Sequence, residues 1–297
     1  MSLARAAVVS TRRPRSRLRR AVVEIASVVL VVALLIWSLA PVYNMLLIAL
    51  DPDDGDIEFE GNLWPPEPSL HSFGTVVSQG YWLVESFWRQ LGNSFFIGLM
   101  TMILTVLIGS LASFAAGRMR LTRGGFLASA PLLTYAVPAS FLVIPFSRLM
   151  VSYGLANSLW AIVAANVTFA TPYAILILRQ YARLIPIELD EAARIDGASA
   201  VQMYRLLYLP LMAPALAAVG TFALLLAWNE YVYQYVLLSS TRNMTVAVAI
   251  AQFFNTDEAP WNYMMAIALI YSIPPIVIFY ALRRYMAAGL TRGALRG

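Results

Sequence analysis

The chain has 297 residues, of which 60% are hydrophobic and 12% are charged, and its mean hydropathy is +0.69. Because an average soluble domain carries about 25% charged residues, this composition excludes an ordinary globular enzyme. The absence of cysteine excludes disulfides, thiolate metal sites and thiol nucleophiles, and the net charge of +5 comes from basic residues that are all arginine.

Six apolar stretches are long enough to cross a bilayer as helices. A crossing helix needs roughly 20 apolar residues, and a lone strand cannot satisfy its backbone hydrogen bonds in lipid. The predicted fold class is therefore an all-α polytopic membrane protein with six transmembrane helices. The predicted spans are residues 25–49, 92–115, 126–147, 157–178, 211–235 and 261–282. Pro138 and Pro145 in the third span and Pro274-Pro275 in the sixth predict kinks.

A basic segment, residues 1–24, precedes the first span. A cleaved signal peptide also begins with basic residues, but its apolar part is only about 7–15 residues, so the longer first span favours an uncleaved anchor. If the N-terminus is cytoplasmic, the inner segments hold 18 of the 21 arginines, and only Arg89, Arg148 and Arg242 lie outside. This asymmetry predicts that both the N-terminus and the tail at 286–297 are cytoplasmic. Orientation and anionic membrane lipids then explain the basic charge without nucleic acid.

The predicted outer loop, residues 51–91, is acidic at its start, where the sequence runs DPDDGDIE from Asp51 to Glu58. Carboxylates suit calcium, but this spacing does not match a DxDxDG loop closed by a glutamate at position 12. The sequence therefore predicts no metal site. Two interpretations of the loop remain, namely a solvated surface loop and a docking surface for an external partner.

The predicted inner loop, residues 179–210, has the pattern of two short helices lying outside the bilayer. Pro186 is favoured at a helix start, and Pro210 marks the opposite boundary. Acidic side chains such as Glu188 complement the positive end of the first helix. Gly197 permits a break or a left-handed turn between the two helices.

A family pattern runs through this inner loop. Glu191-Ala192-Ala193 is followed after three residues by Gly197, and Leu209-Pro210 begins twelve positions later. This pattern resembles the EAA loop of binding-protein-dependent ABC importer permeases, with Leu207 at the position that is isoleucine in the family pattern. The ending GLTRGALRG at 289–297 is similar to that of the carbohydrate-uptake, maltose-permease-like subfamily.

The resemblance implies an ABC type I importer permease fold in the bacterial inner membrane, and a transport subunit without catalytic residues. It implies that the first loop helix is a coupling helix that docks on an ATP-binding subunit. ATP and Mg²⁺ would bind to that subunit, since this chain has no GxxxxGK[ST] phosphate loop and is expected to bind no cofactor. The implied partners are a second homologous permease, two copies of an ABC ATPase and an external solute-binding protein. The implied coupling residues are Glu191, Ala192, Ala193, Asp196, Gly197, Leu209 and Pro210.

Polar side chains in the fourth and fifth predicted spans are candidate contacts for a transported sugar, because intramembrane polar groups often line a pathway. They are Asn166, Thr168, Thr171, Asn229, Tyr231, Gln234 and Tyr235. Tyr231 and Tyr235 are four residues apart and so share one helix face. The alternatives are that Asn and Thr join helices to each other and that the tyrosines belong to a membrane-edge belt. Glu230, the acid nearest a predicted span, is expected to be structural, paired with an amide or an arginine.

Three other functions remain as alternatives. An intramembrane hydrolase needs a serine with a His or Lys base, or paired aspartates, and no predicted span contains His, Lys or Asp. A secondary carrier would hold several ionisable groups near the midplane. An ABC permease for a polyamine, a phosphonate or an amino acid would keep the same inner loop, and the C-terminal ending favours a sugar.

Overall fold

The computed structural model describes residues 17–52, 63–119, 130–255 and 260–294. Within these ranges the chain is helical and contains no β-strand, which confirms the predicted all-α class. The first 16 residues, the acidic stretch at 53–62, the start of the third predicted span at 126–129 and the last three residues lie outside the described part.

The helices follow one another in the order of the predicted spans, with short helices between them. In chain order they are α1 (Arg17–Leu50), α2 (His71–Ser78), α3 (Phe87–Arg118), α4 (Ala139–Ser152), α5 (Leu159–Ala182), α6 (Ile187–Ile195), α7 (Ala200–Trp228), α8 (Val232–Leu237), α9 (Val246–Gln252) and α10 (Trp261–Ala294). Within the described residues, α1, α3, α5, α7 and α10 are long and apolar enough to cross a membrane.

The third predicted span, residues 126–147, is a broken helix rather than a continuous one. A 3-10 helix, Ala130–Ala136, meets α4 at an angle of 107°. Pro138 stands at the junction with an extended backbone, ψ 134°, and it disfavours helix in the preceding residue Val137. The kink predicted at Pro138 is therefore a full break, and the described residues hold five long apolar helices, or six spans if this bent pair counts as one.

The second predicted helix of the inner loop is not separate from the fifth span. Both belong to α7, which contains a π-helical segment at Met203–Tyr208 and continues through Pro210. Proline has no N–H for the usual hydrogen bond to the preceding turn, and the wider π turns carry the chain past this interruption. The prediction that Pro210 marks a helix boundary was wrong.

The fifth predicted span, 211–235, ends early, because α7 stops at Trp228 and α8 begins at Val232. The Glu230 carboxylate caps the start of α8 by accepting hydrogen bonds from the backbone N–H groups of Tyr233, at 2.7 Å, and Gln234, at 3.1 Å. These bonds satisfy donors that a new helix start leaves without partners. Glu230 thus has the structural contact with amides that the sequence suggests.

The bundle is built around α3, which packs along α5 and α7. Gly109 of α3 is so close to α5 that a Cβ atom on it would lie 2.9 Å from the Cβ of Ala174. Small residues permit such close helix contacts inside membranes. In contrast, α1 packs on α2 and α10 only through its last turns, and its residues 21–44 are exposed.

The ends of the helices opposite α6 are joined by hydrogen bonds between loops. The Asn157 side-chain oxygen accepts hydrogen bonds from the backbone N–H groups of Ser239, at 3.0 Å, and Ser240, at 3.2 Å. The Asn93 side-chain amide donates to the carbonyls of Arg242, at 3.0 Å, and Met244, at 2.8 Å. These asparagines fix the segment between α8 and α9 to α3 and to the loop before α5.

Candidate functional site

The candidate site is the inner segment that contains α6 and the start of α7. α6 begins directly after Pro186, whose extended backbone (φ −56°, ψ 138°) leads the chain into the helix, and Glu188 and Asp190 lie in its first turn. Negative charge at this end is favoured by the helix macrodipole. α6 thus occupies the position that the sequence predicts for the first short helix.

α6 ends in a Schellman motif around Gly197. The N–H of Ala198 donates to the carbonyl of Ala193, at 2.9 Å, and the N–H of Gly197 donates to the carbonyl of Arg194, at 3.1 Å. Gly197 has φ +79°, in the left-handed region that glycine adopts without steric cost. The chain therefore turns sharply into α7, which starts at a capping box formed by Ser199 and Gln202.

The outward side of α6 is exposed and partly apolar. Ile195 is 85% exposed, and Ile187 and Leu189 are also exposed. Glu191, Ala192, Asp196 and Gly197 are exposed as well, so most of the predicted coupling residues share this surface. Exposed apolar side chains in a polar surrounding mark an interaction surface.

Ala193 and Leu209 are placed differently from the other predicted coupling residues. Both pack against an apolar cluster that joins α3, α5 and α7 and includes Phe114, Leu178 and Tyr208. Pro210 is exposed on α7, beyond the π-helical segment. The structure therefore separates the predicted set into an exposed group on α6 and a group that anchors the segment to the bundle.

A buried ion pair, which the sequence analysis missed, joins α6 to the end of α3. Arg118 donates one hydrogen bond to the Asp190 carboxylate, at 3.0 Å, and its other terminal nitrogen donates to the carbonyls of Ala182, at 2.7 Å, and Ile185, at 2.9 Å. The Arg118 and Asp190 side chains are only 6% and 5% exposed. Asp190, Ala193 and Arg194 are three and four residues apart and so share one face of α6. This spacing is the sequence pattern that could have indicated which face of α6 turns toward the bundle.

Two tyrosine hydroxyls join the π-helical segment of α7 to α3. Tyr204 lies 2.7 Å from the Ser110 hydroxyl and Tyr208 lies 2.5 Å from the Ser113 hydroxyl. The Phe114 ring contacts both tyrosine rings, with centroids at 5.4 Å and 5.2 Å. Both arms of the inner segment are therefore attached to α3.

The predicted pathway residues do not come together at one site. Asn166 and Gln234 are buried inside the chain, and the Gln234 side chain hydrogen-bonds to Thr245. The hydroxyl of Thr171 is also buried, whereas Thr168 is exposed and bonds to the carbonyl of Ala164.

The remaining pathway candidates lie near the junction of α7 and α8. Tyr231 and Tyr235 are exposed, and their rings stack at 5.6 Å, as their spacing of four residues suggests. Asn229 is exposed next to them, and its amide donates to the carbonyl of Leu225. The exposed members of the predicted set are therefore Thr168, Asn229, Tyr231 and Tyr235.

A bundle of apolar helices that are long enough to cross a bilayer is typical of a multi-pass membrane protein. Residues 109–292 match the family described as binding-protein-dependent transport system inner membrane component, and the chain belongs to this family. The predicted family and the permease fold are confirmed. This membership removes the intramembrane hydrolase and the secondary carrier from the alternatives.

Individual relatives cover nearly the whole chain. The diacetylchitobiose uptake system permease protein DasC of Streptomyces coelicolor is 30% identical over 90% of this chain and 95% of its own length. The trehalose transport system permease protein SugB of Mycobacterium tuberculosis is 31% identical over 88% of this chain and 93% of its own length.

Among solved structures, a chain of a bacterial ABC transporter involved in the import of alginate superposes with a TM-score of 0.74. It is 22% identical and covers 92% of this chain and 99% of its own length. A chain of the MetNI methionine ABC transporter gives a TM-score of 0.55 at 18% identity over 71% of this chain. These similarities show a shared fold.

Proposed function

We propose that this chain is the permease subunit of a bacterial ABC importer that carries a sugar, or a sugar derivative, across the inner membrane by alternating access. The observation that carries this proposal is similarity, over 70–90% of the chain, to permeases named for carbohydrates. Relatives named for diacetylchitobiose, trehalose, arabino-oligosaccharides and trehalose/maltose are 29–34% identical to this chain. The exposed tyrosine pair at 231 and 235 supports a sugar, which has apolar ring faces and polar rims.

The energy for transport comes from an ATPase subunit that binds α6. Ile187, Leu189 and Ile195 leave apolar area in water, and docking of α6 in a cleft of the ATPase would bury it. ATP and Mg²⁺ bind to the ATPase, and this chain holds no cofactor. When ATP closes a pair of ATPase subunits, the contact free energy of α6 differs between the two states, and this difference drives the permease between inward-facing and outward-facing forms.

The second permease packs against the exposed α1 helix. The most apolar window of α1 is entirely unburied within the chain, although the helix is attached to α10 and α2 at its end. An external binding protein delivers the solute on the side of Asn157 and Asn93, opposite α6. The 18 to 3 distribution of arginines supports cytoplasmic termini and an α6 that faces the cytoplasm.

The coupling assignment is tested with Glu191→Arg in cells that contain the complete transporter. We expect uptake of radiolabelled trehalose or maltose to fall at least about tenfold, because the reversed charge opposes a basic partner in the ATPase cleft. Glu85→Arg is the matched control, since it makes the same charge change on an exposed acid in the predicted outer loop. Membrane content of both variants is measured by immunoblot. Normal uptake by Glu191→Arg would contradict the assignment.

The sugar assignment is tested separately with labelled trehalose, maltose, diacetylchitobiose, putrescine and methionine. We expect one of the three sugars to accumulate in an ATP-dependent manner. Accumulation of putrescine or methionine without any sugar would refute the sugar assignment, and the Glu191→Arg test would then be repeated with that solute.

A further inference from the structure

The inner end of α3 holds a charged pair in a place where charge is costly. Arg118 and Asp190 are both almost completely buried. Removing two charges from water is unfavourable unless the geometry compensates them with hydrogen bonds. Here the guanidinium meets one carboxylate and two backbone carbonyls, those of Ala182 and Ile185. The pair joins three elements of the fold through these hydrogen bonds.

The elements joined are α3, the end of α5 and α6. A further hydrogen bond runs in the opposite direction, from the Arg194 guanidinium on α6 to the carbonyl of Arg118, at 3.1 Å. Two hydrogen bonds at different points between α6 and α3 restrict the rotation of one helix relative to the other as well as their separation. α6 is therefore fixed to the end of α3 at two points on its inward face, and its outward face stays available for a partner.

Short non-helical segments join α6 to its neighbours along the chain. Residues 183–186 connect it to α5 without a helix, and residues 196–199 connect it to α7 through the left-handed turn at Gly197. α7 in turn is bound to α3 by the two serine–tyrosine pairs. Consequently both arms of the inner segment, α6 and the start of α7, are bonded to α3.

We propose that Arg118 and Asp190 are positioning residues for energy coupling, and that they make α6 and the inner end of α3 move as one body. This inference rests on the proposed function, because it requires an ATPase that displaces α6. The displacement then enters the bundle through α3, whose contacts with α5 and α7 pass it to the rest of the permease.

The test uses hydrogen exchange and mass spectrometry on the intact transporter, with and without Mg-ATP and vanadate, so no transported solute is needed. In the wild type, we expect the nucleotide state to change exchange in peptides of both α6 and the inner end of α3. In Arg118→Met, we expect the change to persist in α6 and to fall at least about fivefold in α3. ATP hydrolysis by this variant should persist, since the docking surface of α6 is unchanged.

Arg183→Met is the matched control. Arg183 is an exposed arginine directly after α5, at the same inner end of the bundle as Arg118. This control variant should reproduce the wild-type response in both helices. A merely structural effect of Arg118→Met would raise exchange in α3 and α6 without nucleotide and would keep the nucleotide-dependent difference in α3.

A second variant keeps the test decisive if Arg118→Met does not assemble. Asp190→Asn removes the charge at the other end of the same link while preserving its volume. Both single variants and the double variant should reduce the α3 response to the same extent, because contacts within one link are not additive. A wild-type response of α3 in either assembled single variant, or additive losses in the double variant, would overturn the proposal. Absence of any change in α6 of the wild type would instead count against the ATPase-docking function.

Discussion

Gly197 forms the left-handed turn that follows α6. Its replacement by alanine measures how much the backbone conformation of glycine contributes to the stability of this turn. A Cβ atom at Gly197 would have nothing within 4 Å, so steric overlap contributes nothing. The cost comes only from φ +79°, where an L-residue other than glycine is disfavoured by about 1–2 kcal/mol. Alanine also restricts the unfolded chain, which offsets about 0.4–1 kcal/mol. We therefore expect a net cost of about 1 kcal/mol, which lowers the ratio of the closed to the open turn roughly fivefold.

The assay is hydrogen exchange of the backbone amide of Ala198, which donates to the Ala193 carbonyl only when the turn is intact. We expect this amide to exchange about fivefold faster in Gly197→Ala than in the wild type. Gly197→Asn is the matched control, because asparagine tolerates the left-handed region better than alanine, and its rate should lie closer to the wild type. Equal exchange in the wild type and both variants would refute the argument that φ at this position requires glycine.

Two further predictions concern positions outside α6, and both are measured by thermal unfolding followed through tryptophan fluorescence in detergent. Gly109→Ala should destabilise the protein by about 1–2 kcal/mol, because the new methyl group meets Ala174 at 2.9 Å. Gly92→Ala is the control on the same helix and should be neutral or stabilising, because a Cβ atom there has nothing within 4 Å. Equal melting temperatures of the two variants would contradict this packing argument. Asn157→Ala should cost about 2–3 kcal/mol, because it loses both the tolerance for φ 52° and the hydrogen bonds from Ser239 and Ser240. Asn157→Gly should recover part of that loss, because glycine adopts a positive φ without steric cost. Equal stability of these two variants would contradict the contribution of φ.

Several features of the fold follow from the sequence because each depends on local composition. Five of the apolar runs are long helices in the structure, since length and hydropathy alone decide whether a segment can span lipid. α6 lies between Pro186 and Gly197, whose backbone preferences act on neighbouring residues. These signals require no knowledge of what packs against the segment.

Other features depend on contacts between distant segments, and the sequence analysis missed them. The apolar run that contains Pro138 does not reveal whether its proline bends a helix slightly or breaks it by 107°. Similarly, Pro210 predicts a helix end, but α7 passes through it by way of a π-helical segment whose tyrosines bond to serines on α3. At Pro210, these bonds to α3 favour a continuous helix over the helix end that the local sequence predicts.

Charge was also interpreted too locally. Arg118 counts toward the positive-inside asymmetry, and Asp190 counts toward the favourable charge at a helix start, and both interpretations treat the side chains as solvated. The structure pairs them with each other at 3.0 Å in a buried position. An arginine close to the end of a span can thus contribute to the membrane orientation of the chain and also form a structural ion pair. The sequence does not show the ion pair, because it does not give the position of the partner side chain.

The orientation of α6 leaves apolar side chains exposed at this end of the bundle. An ordinary surface helix directs its apolar side chains inward and its charges toward water. In α6 this arrangement is reversed at three positions. Asp190 is buried against Arg118, whereas Ile187 and Ile195 are exposed. The inward charge is balanced within the chain, but the outward apolar surface has no counterpart among the described residues. A partner that covered this surface would gain free energy from apolar burial, and under the coupling proposed above its movement would reach the bundle through α3.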